Sequence, residues 1–180
     1  MQLHKQLGMT FVFITHSQEE AITMSDRIVL MRSGRIVQEG TPKTLFEMPS
    51  SPFVAAFMGV ENILPGTIES VVDDKVSLRL GNSLIKGHWA GSKKPKKGEV
   101  ASAMIRAEKM VLKAGIATKA ENSLPIRPRS SVYKGKYVDF LVDSDAGEIV
   151  TRSWTQNGEL ANLSFAVWSP EHTVIAAGHK

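Results

Sequence analysis

The chain has 180 residues, of which 42% are hydrophobic, and it carries a formal net charge of +4. This length and apolar content suffice for one or two globular cores and exclude a disordered tail. The absence of cysteine excludes disulfides, thiolate nucleophiles and zinc–thiolate sites, and no run approaches the roughly 18 apolar residues that a membrane-spanning helix requires.

The first predicted element is a buried strand. Residues 9–15, MTFVFIT, are apolar or β-branched at every position, which is typical of a parallel strand covered on both faces. The S-x-x-E spacing of Ser17 and Glu20 then predicts a capping box and the start of a helix. His16 lies between the two elements, at the carboxyl end of the strand, where α/β sheets bind ligands. Its position alone leaves two roles open: contact with a phosphate oxygen and a water, or capping of the helix or a loop carbonyl.

Turn signals predict a hairpin and two short helices after this first helix. Ser33-Gly34 separates two apolar runs, so the sequence predicts a hairpin in which the glycine supplies a positive φ. The helices are predicted to end near Met48 and Gly59, and each begins at an N-cap residue followed by proline: Thr41-Pro42 and Ser51-Pro52. Residues 1–60 are therefore predicted to form an α/β domain.

From residue 61 onward the helical period disappears. Short alternating runs lie between turn residues, and they are GTIESVV, KVSLRL, KYVDFLVD and EIVTRSW. This pattern predicts an all-β domain over residues 61–180.

The all-β domain contains an internal repeat. Two pairs of segments return in the same order at offsets of about 60 residues: ENILP at 61–65 with ENSLP at 121–125, and EKMVLKAG at 108–115 with EHTVIAAG at 171–178. We predict two similar halves, 61–115 and 121–178. Because each is too small to bury a core alone, the two are expected to close together into one barrel. Chance similarity of short motifs is the alternative.

The stretch from Phe11 to Gly59 resembles the end of the ATPase domain in the ATP-binding subunits of ABC importers. His16 and the residues after it match the family's T-H-D-Q-x-E-A segment, with serine in place of the aspartate. Further matches to the family's S-D-R-I, x-G-x-I and G-T-P segments are Asp26-Arg27, Gly34 and Gly40-Thr41-Pro42. The resemblance implies that His16 is the switch histidine, which contacts the γ-phosphate of ATP and holds the attacking water.

The motifs that bind the nucleotide are missing from this sequence. It contains no G-x-x-x-x-G-K-[ST] phosphate loop, no L-S-G-G-Q signature and no apolar strand that ends in Asp-Glu. The resemblance therefore implies the C-terminal piece of a longer subunit, which uses ATP and magnesium when intact. We expect the 180-residue chain alone to bind no cofactor well and to hydrolyse no ATP. Residues 1 to about 40 are expected to be mobile or to pair with another chain, since their sheet partners are absent.

The second domain resembles the transport-associated barrel (TOBE domain) of these importers, which is similar to an oligonucleotide-binding (OB) fold. The matching segments are IRAEKMVL at 105–112 and VWSPEHTVIA at 167–176. The predicted fold class is thus an α/β fragment followed by an all-β OB-like barrel. The implied partners are a second ATPase subunit and the permease subunits, at the cytoplasmic face of the membrane and with membrane contact only through the permease. Among importers with different cargoes, the chain most resembles the ATP-binding subunits of those that take up spermidine and putrescine.

The alternative function is a stand-alone OB-like module that binds nucleic acid or a small oxyanion regulator. Three features favour nucleic-acid binding: the predicted barrel, a pI near 9.4 and the KKPKK run at 93–97. The lysine run contains a proline and no aromatic residue on which a base could stack, so a solvated loop and no nucleic-acid partner are predicted. The histidines outside His16, with no metal-ligand spacing, are expected at the surface, and Glu108 and Glu171 are expected to be solvated or to cap turns.

Overall fold

The computed structural model describes residues 8–115, 121–154 and 162–177. The chain divides into two compact units, Met1–Met48 and Pro49–Lys180, which we call the first and the second unit. Strands dominate the described residues, and no helix among them is long and apolar enough to cross a membrane.

The first unit is a small α/β arrangement around one hairpin. Its elements are α1 (Gln18–Met24), β1 (Ile28–Arg32), β2 (Arg35–Gly40) and α2 (Pro42–Glu47). The antiparallel strands β1 and β2 are joined by Ser33 and Gly34, whose φ angles are 49° and 76°. Positive φ at both positions gives a turn with the twist that a two-residue hairpin needs. The predicted hairpin is present at the predicted residues.

The three helix starts are capped as the sequence predicts. The Ser17, Thr41 and Ser51 hydroxyl oxygens each accept a hydrogen bond from the backbone N–H three residues further on. Pro42 and Pro52 open the next two helices, because the ring sets a helical φ where no N–H donor is needed. The capping box at α1 is only half formed, since the Glu20 carboxylate accepts from the Thr15 hydroxyl and not from Ser17.

The predicted strand at residues 9–15 is not formed. This segment pairs with no described strand, and its apolar side chains are exposed: Phe11 by 53%, Val12 by 90%, Phe13 by 43% and Ile14 by 99%. An all-apolar strand is stable only when neighbouring strands take its N–H and C=O groups and helices cover both faces. The described chain supplies neither, so the segment stays irregular.

The second unit begins with a short helix, which is followed by ten strands of at most twelve residues among the described residues. Its elements are α3 (Pro52–Phe57), β3 (Asn62–Val72), β4 (Lys75–Leu80), β5 (Ser83–Trp89), β6 (Val100–Ile105), β7 (Val111–Lys113), β8 (Asn122–Tyr133), β9 (Val138–Ser144), β10 (Gly147–Ser153), β11 (Phe165–Trp168) and β12 (Val174–Ala177). Single 3-10 turns, Ala107–Lys109 and Pro170–His172, precede β7 and β12. On α3, Ala55 packs with Val60, Met104 and Ala176. The compact unit thus starts at Pro49, before the predicted domain boundary at residue 60.

Five strands form a closed barrel in the order β12-β5-β4-β3-β6. All neighbouring pairs are antiparallel except β12 with β5, which run parallel. A five-stranded barrel is the architecture of the OB fold. The predicted OB-like barrel is therefore present, although its strands come from a different set of residues than the sequence predicts.

The remaining strands form a second sheet in the order β10-β9-β8-β11-β7. Each half contributes four strands to its own sheet and its last strand to the other, because β7 pairs with β11 and β12 pairs with β5 and β6. The strands of residues 61–115 and 121–178 thus form one barrel and one sheet that exchange their last strands, and not the single barrel expected from both halves. One apolar core crosses both, from Leu78 and Ile85 to Leu124, Val142 and Ile149.

Candidate functional site

His16 lies in the bend between the irregular segment and α1, and its side chain is exposed. The residues on either side of it make hydrogen bonds. The Ser17 N–H donates to the Thr15 hydroxyl oxygen over 3.0 Å, and the Ser17 hydroxyl oxygen accepts from the Glu20 N–H over 3.3 Å. The Thr15 hydroxyl in turn donates to the Glu20 carboxylate. This network links the two neighbours of His16 to α1 and leaves the imidazole open to solvent.

The imidazole is available for a ligand. Among the described residues no side chain or backbone group hydrogen-bonds to the ring of His16, so the capping role that its position allowed is not observed. Ser17 performs that role. A neutral imidazole can donate from one ring nitrogen and accept at the other, which suits contact with an anionic oxygen and a water at the same time.

The first unit, which carries His16, exposes many apolar side chains. Beyond the segment at residues 9–15, the exposed apolar side chains of the unit are Met24 (56%), Val29 (47%), Met31 (56%), Ile36 (58%), Phe46 (38%) and Met48 (39%). Among the residues of this unit that the structure describes, the buried apolar ones are Ile28, Leu30 and Leu45. Apolar surface of this extent is typical of a face that packs against further protein.

The second unit contains a histidine cluster that the sequence analysis missed. His88 was expected at the surface, yet its side chain is only 22% exposed and lies between two carboxylates. Its Nδ1 is 3.0 Å from Asp74 Oδ2, and its Nε2 is 2.9 Å from Glu171 Oε2. Glu171 therefore pairs with a histidine, in addition to lying in a turn as predicted. No spacing in the sequence connects residues 74, 88 and 171, because only the barrel topology brings them together.

An arginine cluster occupies the other half of the second unit. Arg152 donates to both oxygens of Asp139, from Nε over 2.8 Å and from a terminal nitrogen over 3.2 Å, and it contacts the Glu61 carboxylate at 3.0 Å. Its guanidinium carbon lies 4.2 Å from the centre of the Tyr137 ring. The hydrogen bonds to Asp139 raise the pKa of Arg152 against the effect of burial. This arginine is therefore a permanent cation fixed between two acidic groups.

Two buried asparagines connect the halves. The Asn62 side chain exchanges two 2.8 Å hydrogen bonds with the backbone N–H and C=O of Val150, and Asn122 does the same with Lys86 at 2.8 and 2.7 Å. Both asparagines are the second residue of the repeated ENxLP segment. The repeat in the sequence marked these positions, but not the cross-half contact that they make.

The basic loop at 91–98 is partly tied to the barrel. The Trp89 indole N–H donates to the backbone oxygen of Lys93 over 2.7 Å, and Lys97 Nζ lies 3.6 Å from the Glu69 carboxylate. The hydrogen bond from Arg79, followed by the charges of Arg79 and Lys97, lowers the pKa of Glu69. The loop is thus anchored by an aromatic residue outside it, and one of its four lysines is already paired.

The comparisons with known proteins place the chain in a family. No protein-family model matches it. The spermidine/putrescine import ATP-binding protein PotA of Rubrobacter xylanophilus is 33% identical over 187 residues, which cover 99% of this chain and 48% of that protein. PotA of Trichodesmium erythraeum is 32% identical with coverages of 99% and 49%. The chain belongs to the family of ABC importer ATP-binding subunits.

The similar relatives include importers that are named for different cargoes. The Fe(3+) ions import ATP-binding protein FbpC of Agrobacterium fabrum is 32% identical over 148 residues, which cover 82% of this chain and 40% of that protein. The chain spans about half the length of the curated relatives that it matches. Its residues thus correspond to part of an importer ATP-binding subunit.

One solved structure shares the fold of the strand-rich part. The cytoplasmic molybdate-binding protein ModG superposes with a TM-score of 0.56 at 16% identity, over 66% of this chain and 97% of ModG. At this identity the likeness shows the fold alone. It supports the OB-like architecture that the strand order indicates.

Proposed function

We propose that this chain is the C-terminal portion of the ATP-binding subunit of an ABC importer, and that the intact subunit couples ATP hydrolysis to transport. The observation that carries the proposal is the match over 99% of the chain to import ATP-binding proteins. Residues 1–60 are then the end of the α/β ATPase domain, and residues 61–180 the transport-associated barrel. The exposed apolar surface of the first unit fits a face that the rest of the ATPase domain covers.

His16 is the proposed catalytic residue. In the intact subunit, ATP and magnesium are held by segments that these 180 residues do not contain, and the imidazole contacts the γ-phosphate and positions the attacking water. Its exposure, between the hydrogen-bonded neighbours Thr15 and Ser17, supports this role. Phosphoryl transfer depends on positioning and on stabilising the charge of the γ-phosphate oxygens, which one directed hydrogen bond can do.

The proposed partners and location follow from the family. A second copy of the subunit completes the ATPase, and the permease subunits carry the cargo across the membrane. The chain then works in the cytoplasm, peripheral to the inner face of the membrane, with the barrel serving dimerisation or regulation. Spermidine and putrescine are the proposed cargo, supported by the names of most of the similar relatives.

Replacement of His16 in the intact subunit tests the catalytic role. We expect His16→Ala to bind ATP with unchanged affinity and to lose about a hundredfold or more in turnover, because the lost contact acts chiefly in the transition state. Steady-state ATPase assays on the assembled importer give turnover. Binding of a fluorescent ATP analogue gives the affinity.

His172→Ala is the matched control, because His172 is another exposed histidine in the same chain. It should retain the turnover of the wild type. Equal turnover in His16→Ala and in the wild type would contradict the catalytic role. Failure of the wild-type intact subunit to hydrolyse ATP at all would contradict the importer assignment.

A second candidate function is that of a binding module for nucleic acid or a small oxyanion. The fold likeness to a molybdate-binding protein favours the oxyanion form of this alternative. Calorimetric titration of the 180-residue chain with molybdate and with sulfate tests it, and oligonucleotide retention at low salt tests the nucleic-acid form. The importer proposal predicts neither a nucleic-acid complex nor ATP turnover by this chain alone.

A further inference from the structure

His88 connects three separate pieces of the barrel. It lies on β5, its Nδ1 faces Asp74 in the turn between β3 and β4, and its Nε2 faces Glu171 in the 3-10 turn that leads into β12. Its backbone N–H donates to the Thr173 oxygen over 2.9 Å, and Val174 is its register partner on β12. The side chain thus lies where the exchanged strand joins the barrel.

The two carboxylates demand a doubly protonated ring. A carboxylate can only accept, so both nitrogens of His88 must donate, and only the imidazolium has two N–H groups. The hydrogen bond to Asp74 raises the pKa of His88, burial opposes the rise, and the hydrogen bond to Glu171 adds to it. When the ring loses a proton, one nitrogen presents a lone pair to a carboxylate and that contact breaks.

The position of His88 in the first half corresponds to that of Arg152 in the second half. Asn122 pairs with Lys86 on β5, as Asn62 pairs with Val150 on β10, so the two strands are equivalent in the repeat. His88 and Arg152 each lie two residues beyond those contacts, and each lies between two carboxylates. Arginine cannot lose its charge at physiological pH, whereas histidine can. The repeat therefore places a permanent cation in one half and a titratable one in the other.

The charged groups around His88 come from every element packed against it. Besides the two carboxylates, they are Asp73 in the β3–β4 turn, Lys75 on β4, Lys86 on β5 and His172 in the 3-10 turn. Lys75 and Lys86 line the same cleft as His88 and disfavour its positive charge. The two direct carboxylate contacts outweigh the lysines, because both carboxylate oxygens lie within about 3 Å of the ring.

We propose that the contact of His88 with Asp74 and Glu171, which we call the latch, is a pH-sensitive device that fastens the exchanged strand β12 to the barrel. The folded pKa lies above the ordinary value of 6.5. The stabilising contribution is therefore complete below about pH 6.5 and is lost as the pH rises through the folded pKa. Above that range the Glu171 contact opens and the start of β12 loosens, so the closure of the barrel weakens as the pH rises.

Hydrogen exchange at the β5–β12 junction tests the latch. The His88 and Ala90 amides donate to Thr173 and Ile175, so their protection factors report whether β12 is in place. In the full chain we expect these factors to fall by at least about threefold between about pH 6.0 and about pH 8.5. His88→Arg should keep them constant over that range, because its charge does not titrate.

Two further variants complete the test. His172→Gln, in the same turn but outside the latch, should show the wild-type fall. Glu171→Ala removes the acceptor and should lower the protection at pH 6.0 to the wild-type level at pH 8.5, and it keeps the proposal testable should His88→Arg not fold. Constant protection in the wild type, the wild-type fall in His88→Arg, or wild-type protection in Glu171→Ala would each overturn the proposal.

Discussion

Single buried polar side chains join the two halves of the second unit. Asn62 and Asn122 are 1% and 3% exposed. Each side chain hydrogen-bonds to the backbone N–H and C=O of one residue in the other half, as a neighbouring strand would. Asn122 also donates to the Thr173 hydroxyl over 3.1 Å, and that oxygen accepts from the Trp168 indole at 2.8 Å. A buried amide that satisfies several partners is costly to remove, because the partners lose their hydrogen bonds out of reach of water.

Replacement of Asn122 should therefore destabilise the fold. Asn122→Ala leaves the N–H and C=O of Lys86 unpaired, and we expect a loss of about 2 to 3 kcal/mol in the free energy of unfolding. Urea unfolding measures it. Asn82→Ala is the control, because Asn82 is exposed and has a 3.4 Å contact with Asp145, and it should change the stability by less than about 0.5 kcal/mol. Equal effects of the two substitutions would contradict this account of Asn122.

At the scale of elements, strand exchange decides the architecture. The last strand of each half completes the sheet of the other, so neither half has a complete set of strands alone. The close approach of β5 to the residue before β12 requires a glycine. A Cβ on Gly87 would lie 2.5 Å from the Thr173 backbone oxygen and 2.7 Å from its Cβ.

Gly87→Ala should consequently separate β12 from the barrel. We expect a destabilisation on the order of 2 to 4 kcal/mol, visible as a lower midpoint of thermal unfolding, because the obstacle is main chain and cannot move aside. Gly115→Ala is the matched control, since no atom lies within 4 Å of its added Cβ and its φ is not in the left-handed region. A wild-type midpoint for Gly87→Ala would show that β12 does not approach β5 in this way.

The elements also show what sequence patterns can and cannot predict. Local chemistry predicted the Ser33-Gly34 turn and the helix starts at Ser17, Thr41 and Ser51, because a cap or a tight turn depends on residues three or four positions apart. The strand at residues 9–15 was predicted wrongly, since an apolar run becomes a strand only beside partners. The exchange of β7 and β12 and the position of His88 depend on contacts far apart in sequence, which no local pattern contains.

The two units of the molecule differ in how much apolar surface each buries by itself. The second unit has a continuous apolar core and a closed barrel. Between residues 8 and 48, by contrast, the first unit buries three apolar residues and exposes many others, including those of the segment before His16. This contrast, together with the match to half the length of importer ATP-binding subunits, supports our proposal that the first unit is part of an ATPase domain that other segments complete.

The position of the His16 ring in a nucleotide-loaded dimer of the intact subunit tests the central proposal most directly. A structure with ATP and magnesium, trapped by a hydrolysis-deficient substitution outside this chain, should place an imidazole nitrogen about 2.7 to 3.2 Å from a γ-phosphate oxygen. A ring that points away from the nucleotide, at more than about 6 Å from that phosphate, would contradict the assignment.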